Sequence, residues 1–319
     1  YSMSIHIVST LLLCYVLIVT SPETTAQPFI DFSKAKIEYV SELNTSDDEY
    51  APVFSPSGEI FVFVSNREGS TLTSLDYNKN GLPLPRKNSH DIWRANFVAD
   101  TFQAPVPWKM LNTPLNEGAI SFGKNLGVFY YTRCNTADGF GDCDLYQCTF
   151  FDTVWVINNL GKNVNNEDWQ SQPAYAKGGS MFFASNTPTS YDLRNNITNF
   201  DIFFSQYDST KKSFQPYERL ENINTKDKES TPFYSFFDDA LYFASEGHSP
   251  NYGGLDLYRS KRNPDGTWQD PENLGKHINS QYDDFFMTIS RDGKHIYFTS
   301  NRRDNNNEKD LDFYKIVLP

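Results

Sequence analysis

Acidic and amide side chains recur at matched places along this chain. Glu49, Gln170, Glu229 and Asp284 each stand three residues before Pro52, Pro173, Pro232 and Met287, and Asn116 or Glu117 fills the place in a shortened second copy. Asp48, Asp168 and Asp283 flank them. Gathered around one opening, such residues make an acidic rim that receives a cation or a basic partner. Taken one at a time, each caps backbone N–H groups at its own turn, as Asn and Asp side chains do. A second set, Asp91, Asp144, Asp201, Asp256 and Asp312, is spaced 53, 57, 55 and 56 residues apart. Each opens an apolar segment, where local hydrogen bonds from the carboxylate would fix the preceding loop; their expected role is structural.

Other chemistries find less support. The histidines at 6, 90, 248, 277 and 295 form neither His-x-x-x-His nor facial-triad spacing, and there is no Gly-x-Ser-x-Gly elbow or phosphate loop. Hard cations favour rings of oxygen ligands, so Ca²⁺ at the rim is the one metal worth testing; no other cofactor is expected. Cys134 and Cys143 bracket a short loop between two expected strands and are expected to pair as a disulfide, worth roughly 2–3 kcal/mol by loop closure. A metal site would need four ligands, and no histidine lies nearby. Cys148 is left over.

The elements that position these residues repeat five times. "PVFSPSGEIFVFVSNREG" near the start and "MTISRDGKHIYFTSNRR" near the end spell one pattern, with three further copies between them. Each copy has an apolar strand, a turn, an aromatic-rich strand ending in Ser or Thr, a loop, a third strand opening at the recurring Asp, and a fourth carrying an aromatic and then a leucine. Four short antiparallel strands that cannot bury their own faces, repeated, form a β-propeller. The expectation is an all-β five-bladed propeller over 27–319, with blades starting near 47, 116, 166, 226 and 281. The last copy lacks a fourth strand and segment 35–46 supplies a spare one, so the N-terminal strand is expected to complete blade five and hide both sheet edges.

The segments expected to line the channel, 52–55, 119–122, 173–176, 232–235 and 287–290, hold no Asp or Glu. Glycoside hydrolysis needs two carboxyl groups facing the sugar, so no catalytic residue is assigned. Asp283 and Asp284, as strand neighbours, would point to opposite faces. Blade one carries a long insertion, 68–89, with Tyr77 and Arg86, and the loop 187–199 carries Tyr191 and Arg194. Long loops on rigid scaffolds make contacts, which places these four with Asp48, Glu49, Glu117, Asp168, Glu229, Asp283 and Asp284 on one expected partner-binding face.

The quoted strings, with "YYTRCNTADGFGDCDLY" and "WQDPENLGKHIN", resemble the WD40-like, PD40-type repeats of the family that includes the propeller of periplasmic TolB. They are most like the version in Bacteroidetes envelope proteins that often precedes an OmpA-like peptidoglycan-binding domain. The resemblance covers about residues 35–319 and implies a non-enzymatic binding or scaffolding module; no OmpA-like domain is expected before Pro319.

Composition narrows the partners. With 28 Lys and Arg against 40 Asp and Glu the net charge is −12, which repels nucleic acid. Residues 7–20 form an apolar run too short for a comfortable membrane span, followed by small residues ending at Ala26; this reads as a secretory signal over 1–26, a retained anchor being the alternative. The expected protein is exported to the periplasm, the outer-membrane surface or the medium. It is not integral to the membrane, is a monomer on its own, and binds a protein or cell-envelope partner. The alternative is a carbohydrate-active propeller, a glycan binder, hydrolase or lyase, with Trp169 and Tyr282 stacking on sugars.

Overall fold

The computed structural model describes residues 29–72, 87–188, 199–302 and 310–319. The expected signal segment, and Tyr77, Arg86, Tyr191 and Arg194, lie outside the described residues. Five antiparallel sheets are arranged as a five-bladed β-propeller. From the innermost strand outward, blade one is Glu49–Phe54, Ile60–Ser65, Asp91–Val98 and Val106–Pro107; blade two is Glu117–Phe122, Val128–Cys134, Cys143–Phe151 and Val154–Asn159. Blade three is Gln170–Tyr175, Met181–Ser185, Asp201–Ser205 and Glu218–Arg219, and blade four is Glu229–Ser235, Ala240–Ser245, Asp256–Lys261 and Glu272–Asn273. Blade five takes Asp284–Ile289, Ile296–Ser300 and Asp312–Val317 from the C-terminal end, and Lys36–Tyr39 from the N-terminal end.

That last pairing closes the ring. Lys36 lies opposite Val317 and Tyr39 opposite Tyr314 in an antiparallel register. The Asn44 amide then grips Phe313, donating to its carbonyl and accepting from its N–H.

Side-chain alternation explains why blades must pack together. In Ile60–Ser65, Phe61 and Phe63 turn to Tyr297 and Phe313 of blade five, whereas Val62 packs with Phe129 and Tyr131 of blade two. A strand apolar on both faces is stable only between two neighbours. Buried clusters of this kind fill all five joints. Each buried Phe or Leu contributes about 1.5–3 kcal/mol, so most of the stability lies between blades.

The innermost strands differ from their sequence reading. They begin three residues earlier at Glu49, Gln170, Glu229 and Asp284 and two earlier at Glu117, so four of them do open on an acid. Pro52, Pro173 and Pro232 read as strand starts because proline lacks a ladder donor. Here each falls at a register shift, a bulge that absorbs the missing N–H. Ala51, Gln172, Thr231 and Phe286 take the bulge with φ of 50–57°, a left-handed conformation disfavoured for residues bearing a Cβ. Blade two skips one residue between its paired positions, Gly118 and Ile120, where the others skip two.

Candidate binding face at the channel mouth

The loops that join second to third strands, and one blade to the next, gather on one face. There the backbone repeats a joint: the N–H groups of Glu49, Glu117, Glu229 and Asp284 donate to the carbonyls of Leu311, His90, Phe200 and Leu255 in the preceding blade. The residue before each acceptor adds a side-chain clasp where it can. Asp48, Asn116 and Asp283 accept from the N–H groups of Leu311, His90 and Leu255. In blade three this place belongs to Trp169, which instead packs edge-on against Phe200.

The acceptors themselves are buried. Glu49 accepts from Thr45 N–H (2.7 Å), Thr45 Oγ1 (2.8 Å) and Ser65 Oγ (2.9 Å), and Arg67 reaches it at 3.0 Å. Asp284 holds Arg302 and the N–H of Ser280. Glu229 accepts from Thr225 and Ser245, and Glu117 from the N–H (3.0 Å) and Oγ1 (2.6 Å) of Thr113. Glu49, Glu117, Glu229 and Asp284 thus fold inward onto their own loops, and half-buried Asp48, Asp168 and Asp283 are the predicted rim acids nearer solvent. Burial pushes the Glu117 and Glu229 carboxyls up to about 7, with the Thr113 donors working against it at Glu117 and Ser245 and Thr225 at Glu229.

The asparagine that precedes each acceptor by five residues is a clasp on the third strand. Asn44, Asn112, Asn165, Asn224 and Asn279 each accept from an N–H and donate to a carbonyl of one residue: Phe313, Ile92, Leu145, Ile202 and Leu257. In blade two the member is therefore Asn112, and the acceptor is Glu117 rather than Asn116. Sequence comparison slipped there because that blade's bulge is one residue shorter.

The repeat aspartates tie loops. Asp91 accepts from Thr71 N–H and Oγ1, Asp144 from Phe140 and Gly141 N–H and the Asn159 amide, and Asp256 from Tyr252 N–H and the Asn273 amide. Asp201 binds the Arg219 guanidinium and Asp312 accepts from the Tyr39 hydroxyl. Cys134 and Cys143 form a disulfide between directly opposed residues of blade two. Cys148 is buried, and burial pushes its thiol up to about 12.

Along the hub the innermost strands leave small spaces of about 30 and 40 Å³, the first lined by residues such as Ala51, Pro173, Thr231 and Met287 and the second by Val53, Ser121 and Ile289. On the mouth face, a cavity of about 290 Å³ opens among blades one, two, three and five and shares Ala119, Gln172 and Phe286 with the hub. Tyr50, Trp169, Phe200 and Phe286 line it, with Glu117 and His90. Blade two contributes Gly118 where the other blades carry Tyr50, Ser171, Ser230 and Phe285; a Cβ there would meet the Thr132 Cβ at 3.1 Å. Trp169 is 39% exposed, and the cavity-lining Ser171 Oγ and His90 Nδ1 find no hydrogen-bond partner among the described residues. Several of these residues take matched places, Tyr50 with Gly118 and Ser171, Gln172 with Phe286, and His90 with Phe200, but the residue types differ from blade to blade, so the repeat pattern does not mark them. Among the described residues no three His, Cys, Asp or Glu side chains come together as a metal site, and no helix is long and apolar enough to cross a membrane.

Comparison with solved structures supports the fold. The chain is similar to a glycoside hydrolase at a TM-score of 0.54, with 10% identity over 90% of this chain and 94% of that one. A BT0996 RGII complex gives 0.52, with 11% identity over 89% and 93%. A putative TolB from Agrobacterium tumefaciens gives 0.46, with 15% identity over 85% and 78%. No family model and no curated protein matches the sequence.

Proposed function

We propose that this chain is an exported binding module whose mouth face receives a protein partner of the cell envelope. The observation that supports it best is the contrast between the nearly filled hub and the open, aromatic-lined cavity at the mouth face. The acids nearest the axis are occupied by their own loops, which argues for recognition over hydrolysis by an opposed carboxyl pair. The rim adds Asp48, Asp168 and Asp283 to a chain of net charge −12, a field that attracts basic surfaces and raises their rate of encounter. A disulfide fits an oxidising compartment.

The test is capture from an envelope extract with charge-reversed proteins. Asp47→Lys, Glu167→Lys and Asp168→Lys together, on the mouth loops, abolish capture of a defined partner. Glu59→Lys with Asp270→Lys, on the opposite face, leaves it intact. Equal capture by both variants refutes the reading.

Carbohydrate cleavage is the second reading, favoured by one observation: Glu117 borders the cavity and is held near 7, a value suited to a general acid. Turnover on a glycan panel, lost in Glu117→Gln, would establish it in place of the first.

A further inference from the structure

The cavity has aromatic walls and an acid that no cation bonds among the described residues. In blades one and five the buried acceptor holds an arginine of its own blade, Arg67 on Glu49 and Arg302 on Asp284. Both arginines sit two residues beyond the end of the second strand, opposite the acceptor. The same place in blade two is Asn135. Arg133, which faces Glu117 across the strand pair, turns its guanidinium over the Tyr146 ring at 5.0 Å. Glu117 is left with the two neutral donors of Thr113.

Charges of both signs act here: Arg133 acts on Glu117 without bonding it, and the Lys228 ammonium lies 6.0 Å from the centroid of the Phe200 ring. Asp48 and Asp91 both act electrostatically on His90, and Asp91 acts on Glu117. Burial nonetheless lowers the His90 pKa, which favours the neutral imidazole. Among the described residues no Lys or Arg lines the cavity. Tyr50 lies 5.7 Å from Phe286 and 5.6 Å from His90, centroid to centroid, and Trp169 lies 6.3 Å from Phe200. Aromatic rings around a desolvated carboxyl attract organic cations. At about 290 Å³ the space is at the small end of ligand pockets, ~300–1,000 Å³, which suits one side-chain head better than a saccharide chain.

Resting on the reading that the mouth face docks a partner, we infer that this cavity takes one organic cation, an alkylammonium or guanidinium head from that partner, held among Tyr50, Trp169, Phe200 and Phe286 beside Glu117. The inserted cation supplies to blade two what Arg67 and Arg302 supply to blades one and five.

Choline, N-acetyl-lysine methylamide and N-acetyl-arginine methylamide are titrated into the whole protein by calorimetry, and the Trp169 indole signal is followed by NMR. The neutral isostere 3,3-dimethylbutanol and glucose are the comparators. At least one cation is expected to bind and move the Trp169 signal, with the isostere weaker than choline by about 2- to 30-fold. Glu117→Gln should bring choline down to the level of the isostere while circular dichroism stays unchanged, and Trp169→Ala should weaken all the cations. Binding of the isostere as tight as that of choline, binding of glucose in place of the cations, or no binding of any cation overturns the inference. So does cation binding indifferent to both substitutions. If partner capture depends on the rim acids yet no cation binds, the docking face stands and the cation site fails; if capture ignores the rim, the docking face itself fails.

Discussion

Replacing the buried Glu229 by glutamine should stabilise the protein in a way that depends on pH. Glu229 is fully buried, and its partners among the described residues are neutral: Thr225 N–H at 2.7 Å, Thr225 Oγ1 at 2.9 Å and Ser245 Oγ at 2.6 Å. Burial, opposed by these bonds, leaves its carboxyl at about 7, against 4.5 for an ordinary Glu. A folded-state pKa above the unfolded one means that the native state holds the proton more tightly. The stabilisation is complete below about pH 4.5 and is lost as the pH rises to and through about 7. At 1.36 kcal/mol per pKa unit the full span is about 3 kcal/mol, of which about 2.5 falls between pH 5 and pH 8. Blade three already carries the amide at this place. Gln170 Oε1 accepts from Asn166 N–H, and its Nε2 donates to Asn166 Oδ1 and Ser185 Oγ. Glu229→Gln should therefore exceed the parent's stability by about 2–3 kcal/mol more at pH 8 than at pH 5, or roughly 5 °C in Tm for a chain of this size. Urea denaturation at the two pH values measures it. An equal effect at both, or destabilisation at pH 8, refutes the claim that Glu229 is an uncompensated buried acid.

Three further outcomes follow from the architecture. Deleting residues 27–46 removes the strand paired with Asp312–Val317 and the Asn44 clasp, and should lower the thermal midpoint by more than about 10 °C, well beyond the effect of most single substitutions; an unchanged midpoint would disprove N-terminal closure. Asn224→Ala leaves the Ile202 N–H and carbonyl without their side-chain partner inside the protein and should cost about 2–4 kcal/mol, whereas Asn222→Ala, at an exposed site, should cost under about 1 kcal/mol; denaturant midpoints compare them. Cys148, held protonated by burial, should react with iodoacetamide only after unfolding, and mass spectrometry of native and denatured samples would reveal any labelling in the folded state.

The five-fold repeat was legible because each blade solves the same packing problem with the same alternation. Two strand faces must be apolar, so Phe61 to Phe63 and Ile296 to Phe298 look alike, and the missing fourth strand at one end answers the spare strand at the other. The aspartates at the third-strand starts were legible for a similar reason, since a carboxylate beside a tight loop is used locally. The limits of the innermost strands were not. A proline denies the ladder a donor, and only the fold reveals that a bulge receives it, so Glu49, Gln170 and Glu229 belong to strands that the sequence places beyond them. The one-residue difference in blade two's bulge also left Asn116 and Glu117 as rivals for the acceptor's place.

Local chemistry, then, was written in the chain itself: which segments alternate, which aspartates tie loops, and which cysteines are near enough to pair. What no linear pattern contained is the asymmetry of the mouth. The space beside Gly118 is walled by rings only when blades one, three and five surround it, and Glu117 stands out as an acid that no cation bonds only by comparison with Glu49 and Asp284 in space. Periodicity arises from short-range rules repeated identically, whereas the cavity arises where neighbouring blades depart from those rules in different ways, and that combination exists only once the ring has closed.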